Sequence, residues 1–560
     1  MNNNTVTEVA PTGTTLSVDA VVVGAGFGGL YALLRLRSLG WTVRSFEAGE
    51  DVGGTWYWNR YPGARCDVES VDYSYSFSEE LQDEWTWSER YASQPEIRRY
   101  LEFVADRFDL RRDITFGTRV ESAVWDDAAG LWRVETDGGE VVLARYCVMA
   151  AGVLSSIKEP DFPGLASFEG RVVQTQRWPE DLDLTGLRVG VIGTGSTGVQ
   201  AIPQIAQRAG HLTVFQRTAN FSVPARNRPL TEAELAEVRA SYPERRQGNR
   251  YSQAGFPEFG NPRSALEFTP EERDEVYESA WQKGGGPTTI RAFSDIGSNL
   301  ESNATAADFV RGKIAEIVED PEVAAALSPT DHPIGAKRIC VDTDYYATYN
   351  RGNVTLVDLK QTPIVELVPE GVRTTDGIHA IDVLVLALGF DAVTGALVDI
   401  DIRGREGVPL KDLWAPGPRT YLGLAISGFP NLFTITGPGS PSVLGNVVVS
   451  IEQHVDFMID LLTRAEVEGA GQVEAEPDAE AHWAAHVAER AESTLLGAAN
   501  SWYRGANIEG KAKVVLPYTG GVGTFRQMCE EIAADDFRGF RRSFLPQDGR
   551  SPRDAVPMTS

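Results

Sequence analysis

The hydrophobic positions of this chain fall into short apolar runs that stop at glycine, and two of those runs repeat one design. Val18 to Val23 has the length of a buried parallel strand. It leads into Gly24-Ala25-Gly26-Phe27-Gly28-Gly29, a helix-like Leu30 to Leu39, and a second strand, Trp41 to Phe46, that ends on Glu47. Arg188 to Ile192 begins the same series again, with Gly193-Thr194-Gly195-Ser196-Thr197-Gly198, a helical Val199 to Arg208, and a strand His211 to Phe215 ending in Gln216-Arg217-Thr218. A G-x-G-x-x-G between a strand and a helix has a mechanical reading. The first glycine permits the tight turn, the second lets backbone approach a pyrophosphate, and the third allows close helix–strand packing. The helix then turns its free N–H groups towards the phosphates. The fold class expected is α/β, with two Rossmann-like dinucleotide-binding domains.

The remaining pattern places these units in a larger plan. Gln94 to Phe108 reads as a helix, and Arg119 to Trp125 with Trp132 to Thr136 as a β-excursion. Arg145 to Ala150 is another apolar run, closed by Ala151-Gly152. Residues 225–335 are polar, helix-rich and broken at Gly284-Gly285-Gly286-Pro287. Ile381 to Leu388, ending in Gly389-Phe390-Asp391, reads as the return to the first domain. Leu432 to Thr436 then enters the turn-rich Gly437-Pro438-Gly439-Ser440-Pro441, followed by an amphipathic helix near Val448 to Leu462 and an acidic helical segment near 475–496. The expected division is a flexible tail at 1–17, a first dinucleotide domain at 18–152 completed by 387–540, a second at 153–224 and 336–386, a helical insertion at 225–335, and a disordered tail at 541–560.

Charge and cysteine usage narrow the function. With 52 basic and 79 acidic residues the formal charge is −27, which speaks against nucleic acid or an anionic membrane as a partner. Any anion site must be a local basic pocket. The four cysteines form no C-x-x-C pair, so zinc sites and dithiol redox centres are not expected. The six histidines show no ligand spacing, and no metal or histidine role is assigned. No apolar run approaches the ~20 residues of a membrane span, and the polar start lacks the pattern of a signal peptide. A cytoplasmic protein is expected, with a monomer favoured. Glu47, placed to accept from a ribose diol, assigns FAD to the first site. Arg217 with Thr218 suits a 2′-phosphate that a carboxylate would repel, and assigns NADPH to the second. A plain surface arginine is the alternative at 217.

Between the two units lies Gly53-Gly54-Thr55-Trp56-Tyr57-Trp58-Asn59-Arg60-Tyr61-Pro62-Gly63-Ala64-Arg65-Cys66-Asp67, an aromatic run that ends on a lone carboxylate. This stretch, the two glycine motifs, and Phe168-Glu169-Gly170 through Trp178-Pro179 together resemble the flavin-dependent Baeyer–Villiger monooxygenases over about residues 18–540, nearest the phenylacetone and steroid monooxygenase branch. The resemblance implies an enzyme that uses NADPH and O₂ to convert ketones (bulky aryl, cyclic or steroid-like) to esters or lactones, through a C4a-peroxyflavin and a Criegee intermediate. It implies Arg338 as the cation beside the oxygenating anion, Asp67 as the group that orients it, and Lys337 as a holder of the 2′-phosphate. It also carries cofactor contacts to Thr55, Trp56, Tyr57, Trp58, Tyr73, Val120, Gln200 and Val447, and to Trp502 in a closing loop. The ketone pocket falls to Leu154, Ser442, Val443 and Leu444. The bland alternatives are a basic surface pair at 337–338, a core tryptophan at 502 and plain core at the pocket positions.

One signature position departs from the family pattern F-x-G-x3-H-x3-W-P: the histidine is Gln174 here. Glutamine keeps hydrogen-bonding capacity but cannot become charged near neutral pH; the resemblance implies that this bears on NADPH-linked steps rather than on oxygenation. Ala387-Leu388-Gly389 also replaces the usual Ala-Thr-Gly. Three other functions compete: an N- or S-oxidising flavin monooxygenase, a flavoprotein disulfide reductase, for which the paired cysteines are missing, and a non-catalytic flavin- or NADP-binding protein.

Overall fold

The computed structural model describes residues 15–257 and 260–544. Of the two expected tails, the parts outside those limits are not described. Leu16 and Ser17, expected in the first tail, belong to the first strand, and residues 541–543, expected in the second, belong to the last. The reason is pairing: Leu16 sits opposite Val142, and Phe540–Ser543 closes an antiparallel pair with Gln472–Ala475.

The first strand, Leu16–Val23, lies between Val43–Phe46 and Val141–Met149 and runs parallel to both. Its side chains are buried on both faces. Ala20 and Val22 join the core under helix Phe27–Ser38, while Val21 and Val23 join the core of Trp125 and Trp132 on the other face. A strand covered on both sides needs an unbroken apolar run, and that is what the sequence carries. Ile114–Thr115 extends one edge, and the antiparallel Val120–Asp126 and Leu131–Thr136 extend the other, giving an eight-stranded sheet. The late strands Asp401–Arg403 and Leu432–Thr434 complete it.

The second sheet has five strands, all parallel, in the order Val354–Asp358, His211–Gln216, Arg188–Ile192, Val383–Leu386, Arg171–Gln174. Val383–Leu386 corrects one expectation. The apolar run from Ile381 to Leu388 is not itself the return to the first sheet. It is wedged between Arg188–Ile192 and Arg171–Gln174, and the chain crosses back only after it. Two glycine-ended strands look alike in sequence, and only pairing tells which sheet takes them.

The polar passage from 225 to 335 is helical as expected, with helices Glu232–Tyr251, Pro270–Lys283, Leu300–Ile317 and Pro321–Leu327. Glu232–Tyr251 starts at a capping box between Thr231 and Glu234 and docks on the segment that follows Asp67. The Asp72 carboxylate, 1 % exposed, accepts from Arg245 Nε and Nη2 at 2.7 and 2.6 Å and from Asn249 Nδ2 at 2.8 Å. The Asp72 carbonyl accepts from Arg246 at 3.3 Å and from Asn446 Nδ2 at 2.7 Å. Asn446 also caps helix Val447–Glu468 through its Oδ1, and that helix packs on Phe27–Ser38. Among the described residues, no helix is long and apolar enough to cross a membrane.

Asp72 is thus a buried anion held by three side-chain donors of one helix. Asp72→Ala leaves Arg245 only its longer contact to Glu69, at 3.6 Å, and is expected to cost about 3 kcal/mol. Chemical denaturation followed by tryptophan fluorescence checks this, with the midpoint moving to lower denaturant.

Candidate active site

The two glycine loops adopt one geometry. Gly24 and Gly193 both take positive φ, +104° and +112°, where other residues would be strained. A β-carbon at Gly29 would lie 1.8 Å from the Gly24 carbonyl oxygen, and one at Gly198 would lie 2.2 Å from that of Gly193. Helices Phe27–Ser38 and Ser196–Ala206 therefore start pressed against the ends of their strands. Gly26 and Gly195 precede them with no side-chain cap, which leaves the first-turn N–H groups of both helices free for an anion. Beside Gly195 a β-carbon would meet nothing within 4 Å. Gly28 packs close to Ile435, and Phe27 packs edge-on to Tyr73 and Tyr75, so these two serve the core beneath the loop.

Glu47 lies buried under the first loop. Its Oε2 accepts from Ala25 N at 2.7 Å and its Oε1 from Gly49 N at 2.8 Å. Burial raises its pKa against the pull of those two N–H groups. A carboxylate has about four acceptor positions, so a diol can still be received. The second loop ends differently. Arg217, Thr218 and Lys337 line a cavity of about 440 Å³ with Asp331, His332, Asn500 and Ala506. Among the described residues neither Arg217 nor Lys337 forms an ion pair with a carboxylate. Burial lowers the Lys337 pKa, Asp331 opposes this, and Arg217 and Lys360 add to it. Two unpaired cations facing one cavity in so acidic a chain fit a phosphate. Thr194 steadies the loop by donating to the Thr218 carbonyl at 2.9 Å.

The aromatic stretch runs from one loop to the other. At its start Gly53 N donates to Ala25 O at 3.0 Å, and Gly54 abuts Gly26. The short helix Thr55–Trp58 follows. Trp56 Nε1 donates to Tyr73 Oη at 3.2 Å, Tyr57 lies between Arg60 and Arg98 with each guanidinium 5.2 Å from its ring, and Trp58 stands edge-on to Tyr57. Further on, Tyr61 Oη donates to Gln200 Oε1 at 2.9 Å, and Gln200 Nε2 donates to Arg65 O at 3.0 Å. Gln200, expected at the cofactor, thus spends its amide on binding the stretch to helix Ser196–Ala206. Val120 likewise gives its side chain to the core around Trp125 and Trp132.

The stretch ends at the ion pair. Arg338 Nε donates to Asp67 Oδ2 at 2.9 Å and Arg338 Nη2 to Asp67 Oδ1 at 2.8 Å, while Nη1 donates to the Val443 carbonyl at 2.8 Å. Burial works against the guanidinium charge, but Asp67 first and then the Tyr503 hydroxyl outweigh it and hold the Arg338 pKa above its ordinary value. Ser442, Val443 and Leu444 form one short turn, with Ser442 at φ +40° and its buried hydroxyl unpartnered. Val447 begins the next helix. Beyond Arg338, Cys340 Sγ lies 3.6 Å from Ser196 Oγ, the first residue of the second loop's helix.

Trp502 is half-buried in a short turn. Its ring lies 4.3 Å from that of Tyr503 and packs with Leu154 against Ala392, Val393 and Leu516, and it is Tyr503 that meets Arg338. Gln174, at the end of an edge strand, makes only long contacts, to Glu159 and Arg177 at 3.4 Å each. Three residues were missed in the sequence: Tyr503, Asp72 and His332. Tyr503 adjoins Trp502 and was within reach; nothing in the sequence pairs Asp72 with a helix over 170 residues away or places His332 beside Lys337.

A family profile described as pyridine nucleotide-disulphide oxidoreductase matches residues 21–253, which takes in both loops. A Baeyer–Villiger monooxygenase of Pseudooceanicola batsensis is 45 % identical over 94 % of this chain and 96 % of its own length. The chain belongs to the flavin-dependent Baeyer–Villiger monooxygenases. The structure of an oxidised steroid monooxygenase bound to NADP is 54 % identical, with a TM-score of 0.91 over 94 % of this chain and all of that one. A phenazine N-monooxygenase of Lysobacter antibioticus is 46 % identical over 93 % of this chain and 96 % of its own. For a Baeyer–Villiger monooxygenase of this build, the cofactors are FAD and NADPH; the uncapped loops fit both, and the two unpaired cations fit the second. The disulfide-reductase alternative finds no support in the cysteines, all four of which are buried and free.

Asp67→Asn keeps the shape of the pair and removes its charge. The variant is expected to retain FAD at the wild-type ratio to protein while kcat falls on the order of 10². Flavin absorbance and steady-state NADPH oxidation with ketone read the two effects separately; loss of flavin at unchanged specific turnover would show that Asp67 only holds the fold.

Proposed function

We propose that this Baeyer–Villiger monooxygenase oxidises bulky aryl, cyclic or steroid-like ketones at a site built on Arg338. The eight-stranded sheet is read as the FAD domain and the five-stranded sheet as the NADP domain, with the aromatic stretch joining them. The observation that carries this reading is the bidentate Asp67–Arg338 pair at the end of that stretch, against the second loop and the Val443 turn.

FAD, when bound, takes up hydride from NADPH and activates O₂ for insertion beside a carbonyl. The first loop, Glu47 and the start of the aromatic stretch would hold it; the second loop, Arg217, Thr218 and Lys337 would hold NADPH. The chain's own contribution to the oxygen-inserting step is a fixed positive charge. An arginine keeps its proton when buried, whereas a lysine there would be open to losing it. Asp67 and the Val443 carbonyl take hydrogens on three separate nitrogens of Arg338, which fixes the plane of the guanidinium. Negative charge that develops beside it is then met without reorganisation. Leu154, Val443 and Leu444 supply apolar wall, so that the charge acts in a site of low dielectric. The Ser442 hydroxyl is the one polar side chain in that turn left without a partner, and it is available to an oxygen of the substrate.

The likeness to a phenazine N-monooxygenase keeps N-oxidation as the second reading. A panel of aryl, cyclic and steroid ketones, with a sulfide and a phenazine beside them, decides between the two when ester formed is matched against NADPH consumed. Ester in near-stoichiometric yield is expected; turnover of the phenazine or sulfide with no ketone product overturns the ketone reading. Arg338→Ala is expected to lower ester formation by ~10²–10³ and to leave NADPH consumption uncoupled from product.

A further inference from the structure

The cavity beside the second glycine loop carries a titratable side chain that the readings above do not use. His332 lines it together with Arg217, Thr218 and Lys337, and only 2 % of its side chain is exposed. Its Nδ1 lies 2.6 Å from the Asp331 carboxylate, which also receives Lys360 at 3.1 Å. The ring stands edge-on to Phe221, with centroids 5.5 Å apart. Asp331 and Phe221 therefore set the orientation of the imidazole, and Nε2 remains as its second polar atom. The charged groups that bear on the ring are Asp331, Lys337 and Lys360, with Arg217 on the same cavity. Arg311, over the Phe221 ring, is committed to Asp308. Burial lowers the His332 pKa below its ordinary value, Asp331 resists, and Lys337 and Lys360 push it down further. With no anion in the cavity, the imidazole is neutral at neutral pH.

We propose that His332 is the third cation of the 2′-phosphate site: it takes a proton from solvent as the phosphate enters, and gives the chain a preference for NADPH over NADH that sharpens as the pH falls. This rests on the reading of Arg217 and Lys337 as the phosphate-holding pair. A phosphate monoester brings a charge of about −1.5 to −2, enough to reverse the balance that keeps the ring neutral. The Asp331 contact then favours the imidazolium, since a carboxylate beside Nδ1 leaves Nε2–H to donate to the phosphate. The sign follows from linkage. Bound phosphate raises the His332 pKa, so affinity gains as the pH falls through the bound value and stops gaining below the free one, by at most about tenfold per pH unit for one proton. The phosphate's own second ionisation near ~6 opposes this, but it is common to wild type and variants.

Calorimetric titration of NADP+ and of NAD+ into the FAD-loaded protein tests the proposal, at pH 6.5 and 8.5 and in two buffers of different ionisation enthalpy, which together count the protons taken up. At pH 6.5 His332→Gln is expected to take up fewer protons than wild type and to bind NADP+ about tenfold more weakly. At pH 8.5 the difference shrinks, and NAD+ affinity stays level throughout. Equal proton uptake and equal NADP+ affinity in the two proteins at both pH values overturn the proposal. Should His332→Gln fail to fold, Asp331→Asn replaces it: removing the carboxylate lowers proton uptake at pH 6.5, and unchanged uptake overturns the role of His332. Arg217→Ala separates this from the reading beneath it. If that variant weakens NADP+ alone and His332→Gln changes nothing, only His332 falls. If Arg217→Ala leaves both nucleotides unaffected, the cavity is not the phosphate site and both fall.

Discussion

A guanidinium taken out of water must be paid for by a partner in good geometry, and much of this molecule serves that one requirement. Arg338 is half-buried between a carboxylate, a carbonyl and a phenol, and these come from three distant parts of the chain: Asp67, Val443 and Tyr503. The carboxylate is the first of these to offset burial, and the phenol adds to it. Desolvation disfavours the cation, Asp67 and Tyr503 reverse that, and the Val443 carbonyl fixes the remaining nitrogen. The cation is then available to a reacting group without a change in its surroundings, which is the condition under which a fixed charge is most effective in catalysis.

The aromatic stretch makes this arrangement possible by tying two sheets together. It begins against Gly26 in the first loop and ends against Gln200 on the helix of the second. The helical insertion, which has no part in either sheet, braces its end. Arg245, Arg246 and Asn249 fix Asp72, and through the Asp72 carbonyl they reach Asn446, the cap of the helix that follows the Val443 turn. The segments that carry Asp67 and Val443 are therefore steadied by one helix of the insertion.

The local design was readable from the sequence because it depends on local chemistry. Both glycine loops, their strands and the difference between Glu47 and Arg217 follow from turn sterics and from the sign of a charge. The Asp67–Arg338 pair was reachable only through resemblance, because a separation of 271 residues leaves no periodic trace. Beyond local chemistry, partners decided. The run from Ile381 to Leu388 reads as the return to the first domain although the expected division keeps residues up to 386 in the second, and pairing puts Val383–Leu386 in the second sheet: a buried strand carries no mark of its neighbour. Gln200 was expected at the cofactor through resemblance, and the sequence could not show that its amide faces Tyr61 and Arg65. That Tyr503 faces Arg338 was not legible for the same reason: a side chain's direction in a short turn is set by what packs against it.

The unpaired Arg217 and Lys337 have a consequence for how the dinucleotide arrives. Seen from a distance the protein is a large anion, with a formal charge of −27, and it repels a polyanionic nucleotide. Within about a Debye length of ~8 Å at physiological ionic strength the two cations dominate, and the same nucleotide is drawn in. Salt therefore acts on two stages with opposite sign. It lowers the outer barrier and speeds encounter, yet it loosens the grip once the nucleotide is seated, so the cavity holds its cofactor by contact and gains nothing from long-range steering.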